Sequence, residues 1–205
     1  MRPQIQTDNH INLTVALPAE AKPLIKALRL VRHQPVESLP LYTGAGIHLA
    51  VTGTGAAASS IGVRYLYSMT PAGHPAQWLN VGVCGHGSLA VGESLLADRV
   101  IDQGNGRSWS LQSRRPLATY TGPLTCVLTA QSDYQPQMAY DMESAGFIES
   151  VSSLDAIESA SIIKVVSDNP DHLTRGINAK LVQHLVHQRI SIVRDLIAQL
   201  QRHHA

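Results

Sequence analysis

The sequence has few aromatic residues and little charge. Of its 205 residues, 4% are aromatic and 15% are charged, and a single phenylalanine is present. Sixteen lysines and arginines nearly balance fifteen aspartates and glutamates, so no basic surface for nucleic acid or an anionic membrane is expected. With 44% hydrophobic residues, the chain can form a sizeable core, and we expect one domain spanning residues 1–205.

Cysteine is also scarce, with Cys84 and Cys126 as the two in the chain. Both lie in apolar, strand-like segments, which favours buried free thiols in a reducing compartment over a disulfide. No spacing resembles a zinc site, so neither a metal nor a cofactor is expected. The sequence has no signal-peptide pattern and no apolar run near the ~20 residues of a membrane span. We therefore expect a soluble, cytoplasmic protein.

The glycine-rich segments match no common nucleotide-binding or hydrolase motif. No Gly-Lys-Ser or Gly-Lys-Thr follows Gly53-Thr54-Gly55, so this turn is not a P-loop. Neither a dinucleotide fingerprint nor the Gly-x-Ser-x-Gly elbow of an esterase is present. The Gly53–Gly55 turn can present backbone N–H groups to an anion or a polar ligand. It can equally be a tight connection from a strand to a helix.

Apolar strands and amphipathic helices alternate along the chain. Strands are predicted at residues 11–17, 47–52, 78–83, 92–101, 124–129 and 161–166, with a loop at 82–87 and an irregular surface hairpin within 107–122. Helices are predicted at 24–30 (with Pro23 marking the start), 56–69 and 141–154, and a last helix carries one apolar face from Val182 to Leu200. Continuous apolar strands favour a three-layer α/β/α fold with a twisted, mainly parallel (mixed) central sheet.

Three acidic residues lie at the ends of predicted elements. Glu20 follows the first strand, Asp168 follows the sixth, and Glu143 lies in the first turn of the helix before it. In such sheets ligands bind beyond the carboxyl ends of the strands, and two acids facing one cleft suit cleavage of a glycosidic bond. Each acid also has an ordinary structural interpretation, since acids complement helix starts and Ser-Asp-Asn-Pro is a typical turn.

In their order along the chain, five segments resemble the nucleoside phosphorylase and nucleosidase superfamily. Within it, the sequence is most similar to the methylthioadenosine/S-adenosylhomocysteine nucleosidases. The Met-Glu and Ser-Asp pairs are the specific elements, and the glycine turns support them. The matching segments are Val15–Glu20, Thr52–Gly55, Leu79–Gly82 with Val91–Glu93, Asp141–Ala145 and Val165–Asp168.

The resemblance implies hydrolysis of the N-glycosidic bond of a purine nucleoside. By this resemblance Asp168 donates a proton or hydrogen bond toward purine N7, and Glu20 positions the attacking water. Glu143 accepts hydrogen bonds from the ribose hydroxyls while Met142 packs on the sugar. Ser167 orients the aspartate. The remaining candidates for substrate binding are Val83, Gly85 and Tyr134, the last as a possible stack on the base.

The same resemblance leaves alternatives open. A phosphorylase would need phosphate as co-substrate, for which Arg is well suited, but the predicted site turns carry no Arg and Glu20 would repel the anion. A catalytically inactive nucleoside-binding protein is the second alternative. It is favoured by a short segment between Ala130 and Tyr140 and by Cys84 and His86 in the loop. An unrelated α/β domain is the third. The family further implies that the protein is a homo-oligomer. The expected ligand is a small-molecule nucleoside substrate.

Overall fold

The computed structural model of the protein describes residues 10–33, 39–70, 75–112, 119–173 and 177–202. Within these ranges the chain forms ten strands, five α-helices and one 3₁₀ turn at Ile157–Ser159. The strands are β1 (His10–Val15), β2 (Val31–His33), β3 (Leu41–Gly44), β4 (Ile47–Val51), β5 (Ala76–His86), β6 (Ser94–Asp102), β7 (Ser108–Ser110), β8 (Tyr120–Cys126), β9 (Ala139–Asp141) and β10 (Ala160–Asp168). The helices are α1 (Pro18–Leu28), α2 (Ala56–Met69), α3 (Ser144–Ser152), α4 (Ala179–Gln188) and α5 (Ile190–Arg202).

The centre of the sheet is parallel and its margins are mixed. Strands β4, β1, β5 and β10 lie side by side and pair in parallel. Antiparallel pairing appears where β3 joins β4, where β2 joins β3, and where β6 joins β10 and β7. The predicted α/β fold with a mixed, centrally parallel sheet is therefore confirmed.

Part of the sheet closes on itself, which the sequence pattern did not predict. Strand β5 pairs with β10, β10 with β6, β6 with β8, β8 with β9, and β9 again with β5. These five strands form a small barrel, so none of them has an exposed edge. The closing strand β9 is three residues long, too short to give a period-2 pattern in the sequence.

Helices cover both faces of the sheet, and each face has its own core. On one face, α2 and α3 pack through Val63, Leu66 and Phe147 against apolar side chains of β5, β6 and β10. On the other, α1, α4 and α5 pack on β1, β4 and β5 through residues such as Leu24 and Val186. Residues of one strand alternate between the two cores, as expected for a sheet buried on both sides.

Helix α1 begins five residues before the predicted start at Pro23. Pro18 occupies its first position, where a proline's missing N–H and fixed φ are compatible with a helix. Glu20 in the first turn accepts hydrogen bonds from the backbone N–H groups of Ala16 and Leu17, which fixes the turn out of β1. Pro23 lies inside the helix. The prediction of a start at Pro23 was therefore wrong.

Two boundaries near the carboxyl ends of the strands also differ from prediction. The loop predicted at 82–87 is mostly strand, because β5 continues to His86 and pairs with β10 and β9. The helix predicted from Asp141 begins at Ser144, since Asp141 ends β9. The Asp141 carboxylate accepts the N–H of Ser144, so it caps α3 from the preceding strand.

The C-terminal prediction of a single helix was wrong, because the chain breaks at Arg189 between α4 and α5. The Arg189 guanidinium donates from Nε to the carbonyl of Gly92, which holds the break against the sheet. Val186 and Val193 nevertheless face the same core, so the apolar face itself is confirmed.

Of the predicted hairpin within 107–122, β7 and the start of β8 are strands, and residues 113–118 lie outside the described residues.

None of the helices in the described part of the chain is long and apolar enough to cross a membrane.

Candidate active site

A cavity of about 250 Å³ opens at the carboxyl ends of β1, β5 and β10, beside the start of α3. The structure brings together all eight residues that the sequence assigned to the site. They line this cavity: Glu20, Val83, Gly85, Tyr134, Met142, Glu143, Ser167 and Asp168. A larger groove of about 750 Å³ runs along α1, but its described lining contains no carboxylate. The smaller cavity therefore holds the acid–base groups.

Glu20 is fixed by backbone groups of the turn after β1 and of strand β5. Its side chain is buried, and its Oε2 atom accepts the N–H groups of Ala16 and Leu17, each at 2.9 Å. Its Oε1 atom accepts the N–H of Val83 at 3.0 Å. Burial raises the pKa of Glu20, while the charge of Lys164 and these hydrogen bonds oppose the rise. A carboxyl group held in this way is suited to exchange a proton with water.

Glu143 joins the Gly53–Gly55 turn to the cavity. It stands immediately before α3, whereas the sequence predicted it inside the first turn of the helix, and its Oε1 accepts the N–H of Gly55 at 2.8 Å. The polar group that the Gly53–Gly55 turn binds is therefore the carboxylate of Glu143. Desolvation raises the pKa of Glu143, Lys164 opposes this, and Asp141 adds to it.

Close contact between α2 and α3 places Glu143 beside the turn. A Cβ atom added to Gly146 would lie 1.8 Å from the carbonyl oxygen of Ala56, so glycine is required where the two helix starts meet. Gly55 has a φ of 100°, which an L side chain rarely adopts. The glycines at this junction therefore serve the geometry of the site, and the N–H of Gly55 binds the carboxylate of Glu143.

Sequence analysis missed a buried ion pair beneath the cavity. Lys164, in the middle of β10, is 1% exposed, and its Nζ lies 2.8 Å from Asp141 Oδ2. The negative charges of Asp141, Glu143 and Glu20 raise the pKa of Lys164 despite its burial. A signal was present, because a lysine inside a continuously apolar strand needs a buried partner. The partner was not evident, since its position depends on β9 closing the barrel.

Gly82 of β5 leaves room for this cluster. A Cβ atom at that position would lie 3.0 Å from Glu20 Oε1 and 3.1 Å from Lys164 Nζ. A side chain would therefore crowd the space between the glutamate and the ammonium group. Gly82, where the predicted strand at 78–83 meets the predicted loop at 82–87, acts here as a spacer within β5.

Asp168 is held by side-chain hydroxyl groups. Ser167 Oγ donates to Asp168 Oδ1 and also contacts the carbonyl of Cys84 at 3.2 Å. The Tyr134 hydroxyl contacts Asp168 Oδ2 and donates to the carbonyl of Gln131 at 2.7 Å. The predicted orienting role of Ser167 agrees with this geometry. Tyr134 was predicted to stack on a base, and in this structure it lies against Asp168.

His86 and the two cysteines have structural positions. Nδ1 of His86 accepts the N–H groups of Ser88 and Leu89, each at 2.9 Å, so the ring closes the turn after β5. Burial lowers the pKa of His86. Cys84 and Cys126 are free and buried, as predicted. Burial raises the pKa of both thiols, that of Cys126 to about 12, which makes them unreactive.

Among the described residues, no group of three or more His, Cys, Asp or Glu side chains is arranged to hold a metal ion.

Comparison with known proteins gives matches among solved structures alone: no family model and no curated protein matches the chain. The 5′-methylthioadenosine nucleosidase of Arabidopsis thaliana superposes with a TM-score of 0.77 at 16% identity, over 96% of this chain and 97% of that one. The methylthioadenosine/S-adenosylhomocysteine nucleosidase of S. pneumoniae, solved with a transition-state inhibitor, gives 0.74 at 16%, over 94% and 98%. The chain has the nucleosidase fold.

This fold also includes the futalosine hydrolase of Helicobacter pylori, which superposes with a TM-score of 0.75 at 12% identity, over 93% of this chain and 98% of that one. At such low identity the likeness confirms the fold inferred from the five segments. Residue roles on the nucleosidase fold must be argued from this chain's own side chains, because one fold supports several substrates.

Proposed function

We propose that the protein is an N-glycosidase that hydrolyses the N-glycosidic bond of a purine nucleoside. The observation that carries the proposal is the meeting of Glu20, Glu143 and Asp168 around one cavity of about 250 Å³ on the nucleosidase fold. Three acids from separate parts of the chain share a space that Met142 and Val83 also line. This combination of acids and apolar surface suits a sugar and its leaving group.

The charge of the cavity supports cleavage through a cationic sugar. As the bond to the base breaks, positive charge develops on the ribosyl group. Glu143 and Glu20 lie near Lys164, whose ammonium group is already paired with Asp141. Since Lys164 is paired with Asp141, the carboxyl groups of Glu20 and Glu143 are left to face the sugar. We assign the ribose hydroxyls to Glu143, since its fixed carboxylate favours the cation most as charge develops.

Asp168 is assigned as the acid for the leaving base. It lies at the end of β10, apart from the Lys164 cluster, and Ser167 holds one of its two oxygens. A protonated carboxyl at this position neutralises the negative charge that develops on the base. General acid catalysis of this kind contributes on the order of 10²–10⁴ in rate.

Water is the proposed nucleophile, positioned by Glu20. The raised pKa of Glu20 brings it closer to the pH at which a carboxylate accepts a proton from water. The described lining of the cavity contains no arginine or lysine, whereas it contains four acids, Glu20, Asp141, Glu143 and Asp168. Phosphate would meet repulsion there, so hydrolysis is preferred over phosphorolysis. The proposed hydrolysis uses side chains and water and needs no cofactor. Phosphate would be a co-substrate only in the alternative, a phosphorylase.

One contact favours a second candidate, a nucleoside-binding protein without turnover. The hydroxyl of Tyr134 engages Asp168 Oδ2, the group on which acid catalysis depends. In this alternative the nucleoside binds through Glu143 and Met142 and is released unchanged. Nucleoside binding that Asp168→Asn leaves unaltered, with no base released by the wild type, would support it.

The test of the proposed function is a panel of purine and pyrimidine nucleosides incubated with and without inorganic phosphate. The proposal expects a free purine base and free ribose at equal rates in both conditions. Base release that requires phosphate would support the phosphorylase. Asp171→Asn is a matched control for Asp168→Asn, because Asp171 is exposed three residues further along the chain.

The proposed setting is a cytoplasmic homo-oligomer acting on a small molecule. The proposal of self-association is supported by exposed large side chains on α2, where Ile61 is 53% exposed and Tyr67 is 56% exposed. Large exposed side chains of this kind are common at protein interfaces. Sedimentation of the purified chain, with Ile61→Asp as the disrupting variant, tests the oligomeric state.

A further inference from the structure

Tyr134 occupies the space between Gly85 and Asp168. Its side chain is 8% exposed, and its hydroxyl contacts Asp168 Oδ2. A Cβ atom added to Gly85 would lie 2.7–2.8 Å from the Tyr134 ring and hydroxyl, so the ring lies directly on the glycine. The open surface beside Asp168 is therefore covered by an aromatic side chain of the chain itself.

A leaving base needs the same two contacts. The proposed function, on which this inference rests, places the base next to Asp168 so that the carboxyl can donate to it. A planar base would also lie against Gly85, where no side chain stands in its way. Tyr134 and the base therefore cannot occupy the site together.

The backbone around Tyr134 is held in place. A Cβ atom added to Gly87 would lie 1.9 Å from the carbonyl oxygen of Gln135, so the segment lies directly against the end of β5. The N–H of Gln137 also donates to Ser88 Oγ at 3.1 Å. These contacts hold residues 135–137 against the end of β5, so clearing the site requires movement of the Tyr134 side chain.

We propose that Tyr134 is a specificity-determining residue that competes with the leaving base for Asp168. The site admits a base only when the Tyr134 side chain moves away, so apparent affinity falls by the fraction of molecules in which it has moved. A base that hydrogen-bonds Asp168 replaces the lost hydroxyl contact, and one without a facing nitrogen does not. The device selects for bases, such as purines, that carry a ring nitrogen at this position.

The test measures adenine binding to the full-length protein by isothermal titration calorimetry. Tyr134→Phe keeps the ring and removes the hydroxyl that contacts Asp168. Because an ordinary hydrogen bond corresponds to about a few-fold to tenfold in an equilibrium constant, the Kd for adenine should fall by about that factor. Tyr134→Ala, which also clears Gly85, should lower it at least as far.

Tyr120→Phe is the matched control, since Tyr120 is 51% exposed and its hydroxyl bonds Glu93 outside the cavity. Its Kd for adenine should equal that of the wild type. If Tyr134 instead stacks on the base, Tyr134→Phe leaves the Kd unchanged and Tyr134→Ala raises it. Either result overturns the proposed competition between Tyr134 and the base and leaves the proposed function standing. If wild type and both variants bind no adenine, the competition is overturned for this base, while the nucleoside panel decides the proposed function separately.

Discussion

The two ends of the cavity are built in different ways. At the sugar end, backbone N–H groups of three segments hold Glu20 and Glu143. At the base end, hydroxyl groups of Ser167 and Tyr134 hold Asp168. Backbone donors are supplied by the fold whatever the side chains are, whereas hydroxyl donors are lost by single substitutions. Under the proposed function, the sugar end is thus set by the fold, and the choice of leaving group depends on a few side chains.

Removal of the ammonium group beneath the sugar end should have the largest effect. Lys164→Met leaves Asp141 buried without the partner it has at 2.8 Å, and breaking a buried pair costs about 3–5 kcal/mol. We expect the free energy of unfolding to fall by that amount in urea denaturation. Lys180→Met, at an exposed position on α4, is the control. A variant as stable as the wild type would show that the pair does not support the sugar end.

At the base end, Asp168→Asn should leave the fold intact and remove the acid. Base release should fall by at least about 10²-fold, since proton donation to the leaving group is lost while the shape is kept. Steady-state kinetics on a purine nucleoside would measure it, and a melting curve would check folding. Retention of the wild-type rate would refute the role given to Asp168.

Glu143→Gln sharpens the comparison, because the Gly55 N–H can still donate to the amide oxygen of glutamine. The loss is therefore confined to the charge that faces the sugar. We expect kcat/KM on a riboside to fall about tenfold, in line with a hydrogen bond to a charged group, and to fall less on the 2′-deoxyriboside. Equal losses on both substrates would contradict contact between Glu143 and the ribose hydroxyls.

The smallest expected effect is on the pH dependence of stability. Burial raises the pKa of Glu20 in the folded state above its ordinary value of 4.5. The folded protein therefore binds this proton more tightly than the unfolded chain, and the stabilisation is lost as pH rises from 4.5 through the raised pKa. Glu20→Gln should flatten this decline in urea denaturation, whereas Glu158→Gln at an exposed site should not. Identical slopes would contradict the raised pKa.

The sequence predicted the α/β order and most strand positions, and the eight residues it assigned to the site all lie in the cavity lining. The strand order and the placing of the acids depended on local patterns, namely apolar runs and acids after them, whereas the remaining site residues came from the resemblance to the nucleosidases. What it did not predict depends on pairing across the chain. Asp141 reaches Lys164 only because β9 pairs with β5 and β8, and Tyr134 reaches Asp168 across 34 residues. A three-residue strand and a side-chain direction leave no periodic signal.

The boundary errors have a similar origin. Pro23 was taken as a helix start because proline is common there, but Pro18 meets the same requirement earlier, and the carboxylate of Glu20 fixes the turn. Gly82 stands where the predicted strand at 78–83 overlaps the predicted loop at 82–87, and the structure keeps it in β5 as a spacer between Glu20 and Lys164. In both cases a contact from elsewhere in the fold decides between two local possibilities.

The central claim is that the cavity joins water to a ribosyl group as the base departs. Its most direct test is the mass of the sugar product after incubation of a purine riboside in ¹⁸O-labelled water with phosphate present. The account predicts free ribose that carries ¹⁸O, together with one equivalent of purine base. Ribose phosphate as the product, or no release of base at all, would contradict it.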